Sequence, residues 1–177
     1  IACIFSSYTI HAQEISLKGK ELFGDLKARQ IGPAIMSGRV SDLALHPKNN
    51  QVLLLGAAGG GVWKSSDGGA SFVSLFDKHI QSIGCVTIDP NNPDNTIWVG
   101  TGEPWTRNSV SIGDGIYKST DGGLNWTNMG LPKSDRITSI IVDPRNSDVV
   151  WAGVLGALWG DSEDRGIYKT TDGGKTW

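Results

Sequence analysis

The chain has 177 residues, of which 24 are glycine and seven are tryptophan, and its formal net charge is −2. This charge argues against a nucleic-acid surface, which needs a basic stripe, and no run reaches the ~18 apolar residues of a membrane-spanning helix. The three histidines have no ligand spacing, so we expect no metal site and no cofactor.

Residues 1–13 have the composition of the end of a secretory signal peptide. A short apolar stretch is followed by the small residue Ala12 and then by the polar residues Gln13 and Glu14. The alternative is a buried N-terminal strand. The first interpretation predicts a secreted, periplasmic or cell-surface protein. Residues 14–36 are a leader segment and a possible closing strand for a last sheet of the protein.

A pair of strands recurs three times after the leader. The first strand of each pair, named A, ends in proline, which has no N–H to donate and so ends the ladder. The three copies of strand A and its proline are residues 40–47, 83–90 and 137–144. Turn residues follow, and then a β-branched run, strand B, that ends at Gly56, Gly100 or Gly153. Such runs between turn residues are typical of strands.

The most distinctive pattern is a phrase of the form Ser/Thr-x-Asp-Gly-Gly-x-x-aromatic, which occurs three times. Its key residues are Asp67, Gly69 and Phe72, then Asp121, Gly123 and Trp126, then Asp172, Gly174 and Trp177. Asp-Gly-Gly favours a hairpin between two more strands, C and D, because glycine adopts positive φ at no steric cost. The aspartate can accept N–H bonds inside the turn. We therefore interpret the aspartates as structural, and the aromatic residues as packing between neighbouring units.

Four-stranded units repeated along a chain predict the blades of a β-propeller. The repeated phrase resembles the Asp-box, so the chain is similar to the Asp-box (BNR) propellers, which include sialidases, the sortilin ectodomain and xyloglucan hydrolases. The surrounding sequence resembles secreted bacterial sortilin-like (VPS10-type) and glycosyl-hydrolase-like proteins most. The phrases that carry this resemblance include residues 37–40, 59–64, 100–103 and 113–121. The resemblance covers about residues 29–177 and implies the fold, but it assigns no activity.

We therefore expect an all-β chain that forms a fragment of a β-propeller. Its three four-stranded blades are predicted at residues 37–80, 81–132 and 133–177, and the third is incomplete. Because a propeller needs about 4–8 blades to close, the remaining blades of a longer parent chain are expected partners of these three.

The loops between strands B and C predict where a ligand binds. In a four-stranded blade these B–C loops lie on one face, here named the B–C face, and the A–B and C–D turns lie on the other. The B–C loop is short in the first blade and long in the other two, at residues 101–114 and 154–165. Insertions on one face of a repeat array usually mark the binding side.

Tryptophan and arginine side chains collect on the B–C face. Two tryptophans lie outside the repeat positions, one in each long loop, and each loop also has an arginine. The ligand-binding candidates are Arg39, Trp105, Arg107, Arg136, Trp159 and Arg165. Arginine binds carboxylates and phosphates through two parallel bonds, and tryptophan offers a flat apolar face to a sugar ring. The alternative is that arginine and glutamate pair to pin the loops, while the tryptophans cover loop hydrophobics.

Three carboxylates on this face, Glu103, Asp114 and Glu163, are catalytic candidates. A glycosidase needs two carboxyl groups, about 5–5.5 Å apart for retention or 6.5–9.5 Å for inversion. No catalytic motif of the sialidases or xyloglucan hydrolases matches this chain residue by residue. We therefore favour a sortilin-like propeller that binds a glycan or peptide, with no role for nucleic acid or a membrane span. The alternative is a glycoside hydrolase or lyase that uses these carboxylates on a polysaccharide.

Overall fold

The computed structural model describes residues 38–177, so the predicted signal peptide and leader lie outside the described residues. The described part forms eleven β-strands and no helix. In chain order they are β1 (Val40–Leu45), β2 (Leu53–Ala57), β3 (Gly61–Ser65), β4 (Val73–Ser74), β5 (Ile83–Ile88), β6 (Ile97–Thr101), β7 (Ile116–Ser119), β8 (Thr127–Asn128), β9 (Ile137–Asp143), β10 (Asn146–Val154) and β11 (Gly166–Thr170). Between residues 38 and 177, no helix is long and apolar enough to span a membrane.

The strands form three antiparallel sheets, and within each sheet every strand pairs with the next along the chain. The orders are β1-β2-β3-β4, β5-β6-β7-β8 and β9-β10-β11. Strands β1, β5 and β9 are the predicted A strands, and β2, β6 and β10 are the predicted B strands. This all-β architecture of successive meanders confirms the predicted fold class.

The hairpin of the third sheet is tighter than the sequence predicted. Turn-forming residues continue as far as Asp148 in the sequence, but β10 already begins at Asn146 and pairs with Asp143 across a register shift. Asp143 causes the tight turn, because its Oδ1 accepts the backbone N–H of Arg145 at 2.8 Å. The Arg145 guanidinium also donates to both oxygens of that carboxylate. The chain therefore reverses within two residues.

The apolar core lies between neighbouring sheets. One cluster joins the first and second sheets, and the other joins the second and third. The first contains Leu54, Val62, Phe76, Ile83, Val86, Ile88, Ile97, Val99 and Tyr117. The second contains Cys85, Trp98, Ile116, Ile137, Ile140, Val142, Val150, Ala152 and Val154. Each sheet is therefore stabilised mainly by the one beside it, through burial of apolar surface.

Close approach between sheets explains the glycines that end strand B. A Cβ placed on Gly56 would lie 2.9 Å from Cγ2 of Ile83, and one on Gly100 would lie 2.6 Å from Cβ of Ile137. Both isoleucines begin the A strand of the next sheet. Glycine is therefore needed because the next blade packs directly on the backbone at this point.

Each Asp-Gly-Gly turn is held by its aspartate and by the A–B turn of its own sheet. Asp121 Oδ1 accepts the backbone N–H of Asn125 at 2.9 Å and the Ser119 hydroxyl at 2.8 Å, and Gly122 N–H donates to Asn95 O at 2.8 Å. The turns of Asp67 and Asp172 repeat these bonds. The bonds from Asn125 to the carboxylate lower the pKa of Asp121 to about 2.

The aromatic residue after the second and third turns packs against the preceding sheet. Trp126 donates its indole N–H to Leu75 O at 2.9 Å, and Trp177 donates to Met129 O at 2.8 Å. Phe72 of the first sheet is 38% exposed, and no earlier sheet lies within the described residues to cover it. The two described junctions therefore share one geometry.

Candidate functional site

Two hydroxyls anchor the long loop between β6 and β7. Ser82 accepts the backbone N–H of Glu103 at 3.0 Å and donates to Ser111 O at 3.0 Å. Thr101 Oγ1 accepts the N–H groups of Asp114 and Gly115 at 2.9 and 3.0 Å. Both side chains are buried, so the two ends of the loop have a defined position on the B–C face.

Sequence reasoning missed Ser82 and Thr101, although one signal was present. Ser82 lies eight residues before Pro90, which is the repeat position that Arg39 and Arg136 occupy before their own prolines. An aligned comparison of the three units would have placed Ser82 at the same end of its A strand. Thr101 had no comparable signal.

The central contact of the site is an arginine–glutamate–arginine cluster. Glu103 is only 1% exposed. Arg107 donates two hydrogen bonds to it, with Nε 3.1 Å from Oε1 and Nη2 3.3 Å from Oε2. Nη2 of Arg39 forms an ion pair with Oε1. Hydrogen bonds between a carboxylate and a guanidinium group are charge-assisted and therefore stronger than neutral ones. This pairing agrees with the alternative in which arginine and glutamate pin the loop.

The cluster forms one wall of a cavity of about 490 Å³ between the first two blades. Arg39 and Arg107 retain 38% and 49% of their side-chain exposure, so both guanidinium groups reach the cavity and solvent. Arg39 Nη2 also donates to Trp105 O at 3.4 Å. The cluster therefore joins the start of the first sheet to the loop of the second.

The two loop tryptophans are among the most exposed apolar side chains of the described residues. Trp105 is 63% exposed and Trp159 is 80% exposed. This exposure favours a ligand-facing role over the alternative interpretation from the sequence, in which the tryptophans cover loop hydrophobics. Large exposed aromatic surfaces on one face of a protein mark interaction sites more often than isolated apolar residues do.

The other two carboxylates differ from Glu103 in their surroundings. Asp114 accepts the Tyr117 hydroxyl at 2.7 Å and lies 3.3 Å from Thr101 Oγ1. Burial, followed by this bond, raises the pKa of Tyr117. Glu163 is exposed in the β10–β11 loop, and no ion pair to it is found within residues 38–177. Glu163 is thus the candidate whose carboxylate is most accessible to a ligand.

Two of the arginine candidates bind the backbone of the third blade. Arg136 is 5% exposed, and its Nη1 donates to Gly156 O at 3.3 Å. Arg165 donates from Nε to Leu155 O at 2.8 Å and from Nη2 to Ala157 O at 2.7 Å. Burial leaves little of the Arg136 side chain accessible to a ligand, although its Nε has no hydrogen-bond partner within residues 38–177. Both residues instead hold the β10–β11 loop.

Comparison with known proteins relates the chain to xyloglucanases, although no family model matches it. A xyloglucanase of Acetivibrio thermocellus is 28% identical over 158 residues, which cover 76% of this chain and 17% of that protein. A probable oligoxyloglucan-reducing end-specific xyloglucanase of Neosartorya fischeri is 32% identical over 97 residues, which cover 52% of this chain and 10% of that protein. The chain therefore spans only a small part of these relatives.

Solved structures of similar fold identify the architecture of the three sheets. The GH74 enzyme of Niastella koreensis superposes with a TM-score of 0.55 at 28% identity, over 77% of this chain and 22% of that one. YCF48 of Cyanidioschyzon merolae superposes with a TM-score of 0.53 at 20% identity, over 84% of this chain and 38% of that one, and this likeness concerns the fold alone. The three sheets are blades of a β-propeller. The propeller arc presents Glu103, Trp105 and Trp159 in B–C loops of neighbouring blades.

Proposed function

We propose that the protein is a glycoside hydrolase-type propeller that binds a polysaccharide of the xyloglucan class on its B–C face. The observation that carries this proposal is the exposure of Trp105 and Trp159, 63% and 80%, in the long loops of two adjacent blades. An indole face packs against the apolar face of a pyranose ring. Two such rings on neighbouring blades suit a polymer that runs across the propeller.

The relatives support a hydrolase more than a sortilin-like binding protein. The curated proteins described above are named xyloglucanases, which favours the hydrolase alternative of the sequence analysis over peptide binding. Shared fold alone would not assign chemistry. The exposed tryptophans provide the independent physical reason to expect a sugar on this face.

Within this proposal the three carboxylates have different roles. Glu103 positions Arg39 and Arg107, because its buried carboxylate is already shared between them. Glu163 is free to contact a glycan and is our candidate for an acid or base in hydrolysis. Asp114 supports the end of the β6–β7 loop through Tyr117.

We also propose the finer organisation that the repeats suggest. The Asp-Gly-Gly turns are Asp-boxes, and the blades occupy residues 37–80, 81–132 and 133–177, since each range contains one sheet. The protein acts outside the cytoplasm, in the secreted, periplasmic or cell-surface setting expected from residues 1–13. A polymeric substrate would be accessible there.

The proposal is tested by following new reducing ends after incubation of the purified protein with xyloglucan and with unsubstituted glucans. We expect release from xyloglucan. Trp105→Ala and Trp159→Ala should each raise KM by roughly threefold to tenfold. This change corresponds to the loss of about 0.5–1.5 kcal/mol, the usual contribution of a stacked aromatic contact. The matched control is Leu124→Ala, because Leu124 is 80% exposed but lies in a C–D turn on the opposite face.

Two outcomes would separate the hydrolase from a binding protein. Release that is lost in Glu163→Gln, with xyloglucan binding retained, supports hydrolysis by a loop carboxylate. Binding that depends on Trp105 and Trp159, without release from any substrate, would show that the protein binds glycans but does not cleave them. Absence of both release and binding would refute the proposal.

A further inference from the structure

We propose that the cavity between the first two blades is a subsite for the carboxylate group of an acidic sugar. This inference rests on the proposed function, because it assumes that a glycan lies on the B–C face. It goes further by assigning a charge preference to one position along that glycan. The lining of the cavity includes Arg39, Glu103 and Arg107, together with Ser109 and Ser111.

The charge of this lining is the first reason. Two guanidinium groups face one carboxylate, and no other charged residue lines the cavity. Arginine stays protonated at every physiological pH, and Glu103 contributes the one carboxylate with which both guanidinium groups pair. The cavity therefore has a net charge of about +1, which a carboxylate on the ligand would neutralise.

The remaining hydrogen-bond donors are the second reason. Arg107 uses Nε and Nη2 on Glu103, and Arg39 uses Nη2 on Glu103 and Trp105 O. Within residues 38–177, Nη1 of each arginine and Nε of Arg39 have no hydrogen-bond partner. Guanidinium N–H groups bind carboxylates more strongly than neutral acceptors. Because Glu103 already orients both side chains, little ordering entropy is lost on binding.

The shape of the cavity is the third reason. Its volume of about 490 Å³ lies within the ~300–1,000 Å³ of small-molecule sites. A Cβ on Gly38 would lie 2.5 Å from the Gly59 nitrogen, so the two backbones are in contact and no side chain fills this part of the lining. Ser109 and Ser111 are hydroxyl-bearing residues of the same lining. The space suits a sugar ring with several hydroxyl groups.

Trp105 connects the cavity to the proposed glycan surface. Its carbonyl oxygen accepts from Arg39, while its side chain is 63% exposed. The indole does not line the cavity, so a glycan would place one ring on the indole and the carboxylate of a neighbouring ring against the guanidinium groups. This combination favours a hexuronate residue of a polysaccharide over a peptide carboxylate, which has no ring to pack on Trp105.

The experiment compares two polymers that differ only in charge. Xyloglucan and the same xyloglucan partly oxidised at C6 to the uronic acid are used in affinity electrophoresis with the purified protein. We expect about tenfold tighter binding of the oxidised polymer at low salt, and a smaller difference as salt is added. Two variants test this: Arg107→Gln, and the more conservative Arg107→Lys, which keeps the charge but loses the bidentate contact. Each should reduce the preference for the oxidised polymer to less than threefold.

The matched control is Arg145→Gln, since Arg145 is also paired with one carboxylate but lies in an A–B turn on the other face. Its variant should keep the preference. Melting temperatures of all variants show whether each is folded, and Arg107→Lys remains informative if Arg107→Gln does not fold.

The outcomes distinguish this inference from the proposed function. Equal binding of the two polymers, or a preference that survives both Arg107 variants, overturns the subsite and leaves xyloglucan binding intact. Binding of the oxidised polymer alone, lost in the Arg107 variants, supports the subsite and contradicts the proposal that the protein binds unmodified xyloglucan. Tighter Arg107-dependent binding of a peptide with a free C-terminal carboxylate than of the oxidised polymer would overturn the assignment to a sugar. Failure of both polymers to bind overturns both proposals.

Discussion

The indole N–H of Trp126 in the second blade donates to the carbonyl oxygen of Leu75 in the first, at 2.9 Å. Trp177 of the third blade forms the same contact with Met129 of the second. The B–C face depends on these junctions, because Arg39 and Glu103 belong to different blades and pair across the first of them. The same junction is thus joined by the Trp126 bond on one side of the blades and by the Arg39–Glu103 ion pair on the other.

We expect Trp126→Phe to lower the free energy of unfolding by about 1 kcal/mol. The phenyl ring keeps much of the apolar contact with the first blade, but the Leu75 carbonyl loses its indole donor. Urea denaturation measures the change. Trp105→Phe is the control, since Trp105 is exposed and its indole donates no hydrogen bond within residues 38–177. Equal effects of the two substitutions would contradict the role given to the Trp126 bond.

Gly100→Ala should destabilise the fold by roughly 1–3 kcal/mol, the usual cost of overpacking a core. The new methyl group would lie 2.6 Å from Cβ of Ile137 and 2.7 Å from Sγ of Cys85, so the second and third blades would have to separate. Gly166→Ala is the matched control, because no atom lies within 4 Å of a Cβ there. A thermal melt that cannot separate Gly100→Ala from Gly166→Ala would contradict this packing account.

The stability contributed by Asp121 should depend on pH in a defined window. Bonds from Asn125 hold the pKa of Asp121 at about 2, below its unfolded value of ~3.9. Its contribution is therefore complete above about pH 4 and is lost as the pH falls towards 2. The difference in melting temperature between the wild type and Asp121→Asn should shrink over this interval.

The control for that titration is Asp161→Asn, because Asp161 is exposed and forms no hydrogen bond through its carboxylate within residues 38–177. Its melting temperature should follow that of the wild type at every pH. A constant gap between the wild type and Asp121→Asn from pH 5 to pH 2 would show that the carboxylate charge is not what stabilises the turn.

Glu103→Gln should destabilise the protein, whereas Glu163→Gln should not. Removing the Glu103 charge leaves Arg39 and Arg107 without their counter-ion. The expected loss is about 1–3 kcal/mol, below the ~3–5 kcal/mol of a fully buried pair, because both guanidinium groups reach solvent. Chemical denaturation of both variants checks this. An unfolding free energy unchanged in Glu103→Gln would argue against a positioning role.

Much of the fold was predictable because local chemistry determines it. Asp-Gly-Gly favours a tight turn, and a proline follows each of the strands β1, β5 and β9. The order of the strands could therefore be predicted from short segments of the sequence. The early start of β10 was not predictable, since it depends on the contact of Arg145 with Asp143. The strand propensities of the individual residues do not predict such a side-chain pair.

The candidate site was predictable only as a face. The alternation of turns placed Arg39, Glu103 and Arg107 on the same side, but the sequence could not show that both arginines share one carboxylate. The sequence also could not distinguish the buried Arg136, which binds Gly156 O, from the partly exposed Arg39. Both residues precede an A strand, and their difference arises from the loop that covers each one.

Affinity electrophoresis in xyloglucan-containing gels tests the central claim most directly. The wild-type protein should be retarded by xyloglucan. The double variant Trp105→Ala/Trp159→Ala should migrate as in a gel without polysaccharide, while Leu124→Ala should be retarded like the wild type. Retardation of the double variant equal to that of the wild type would contradict a glycan site built on the two tryptophans of the B–C face.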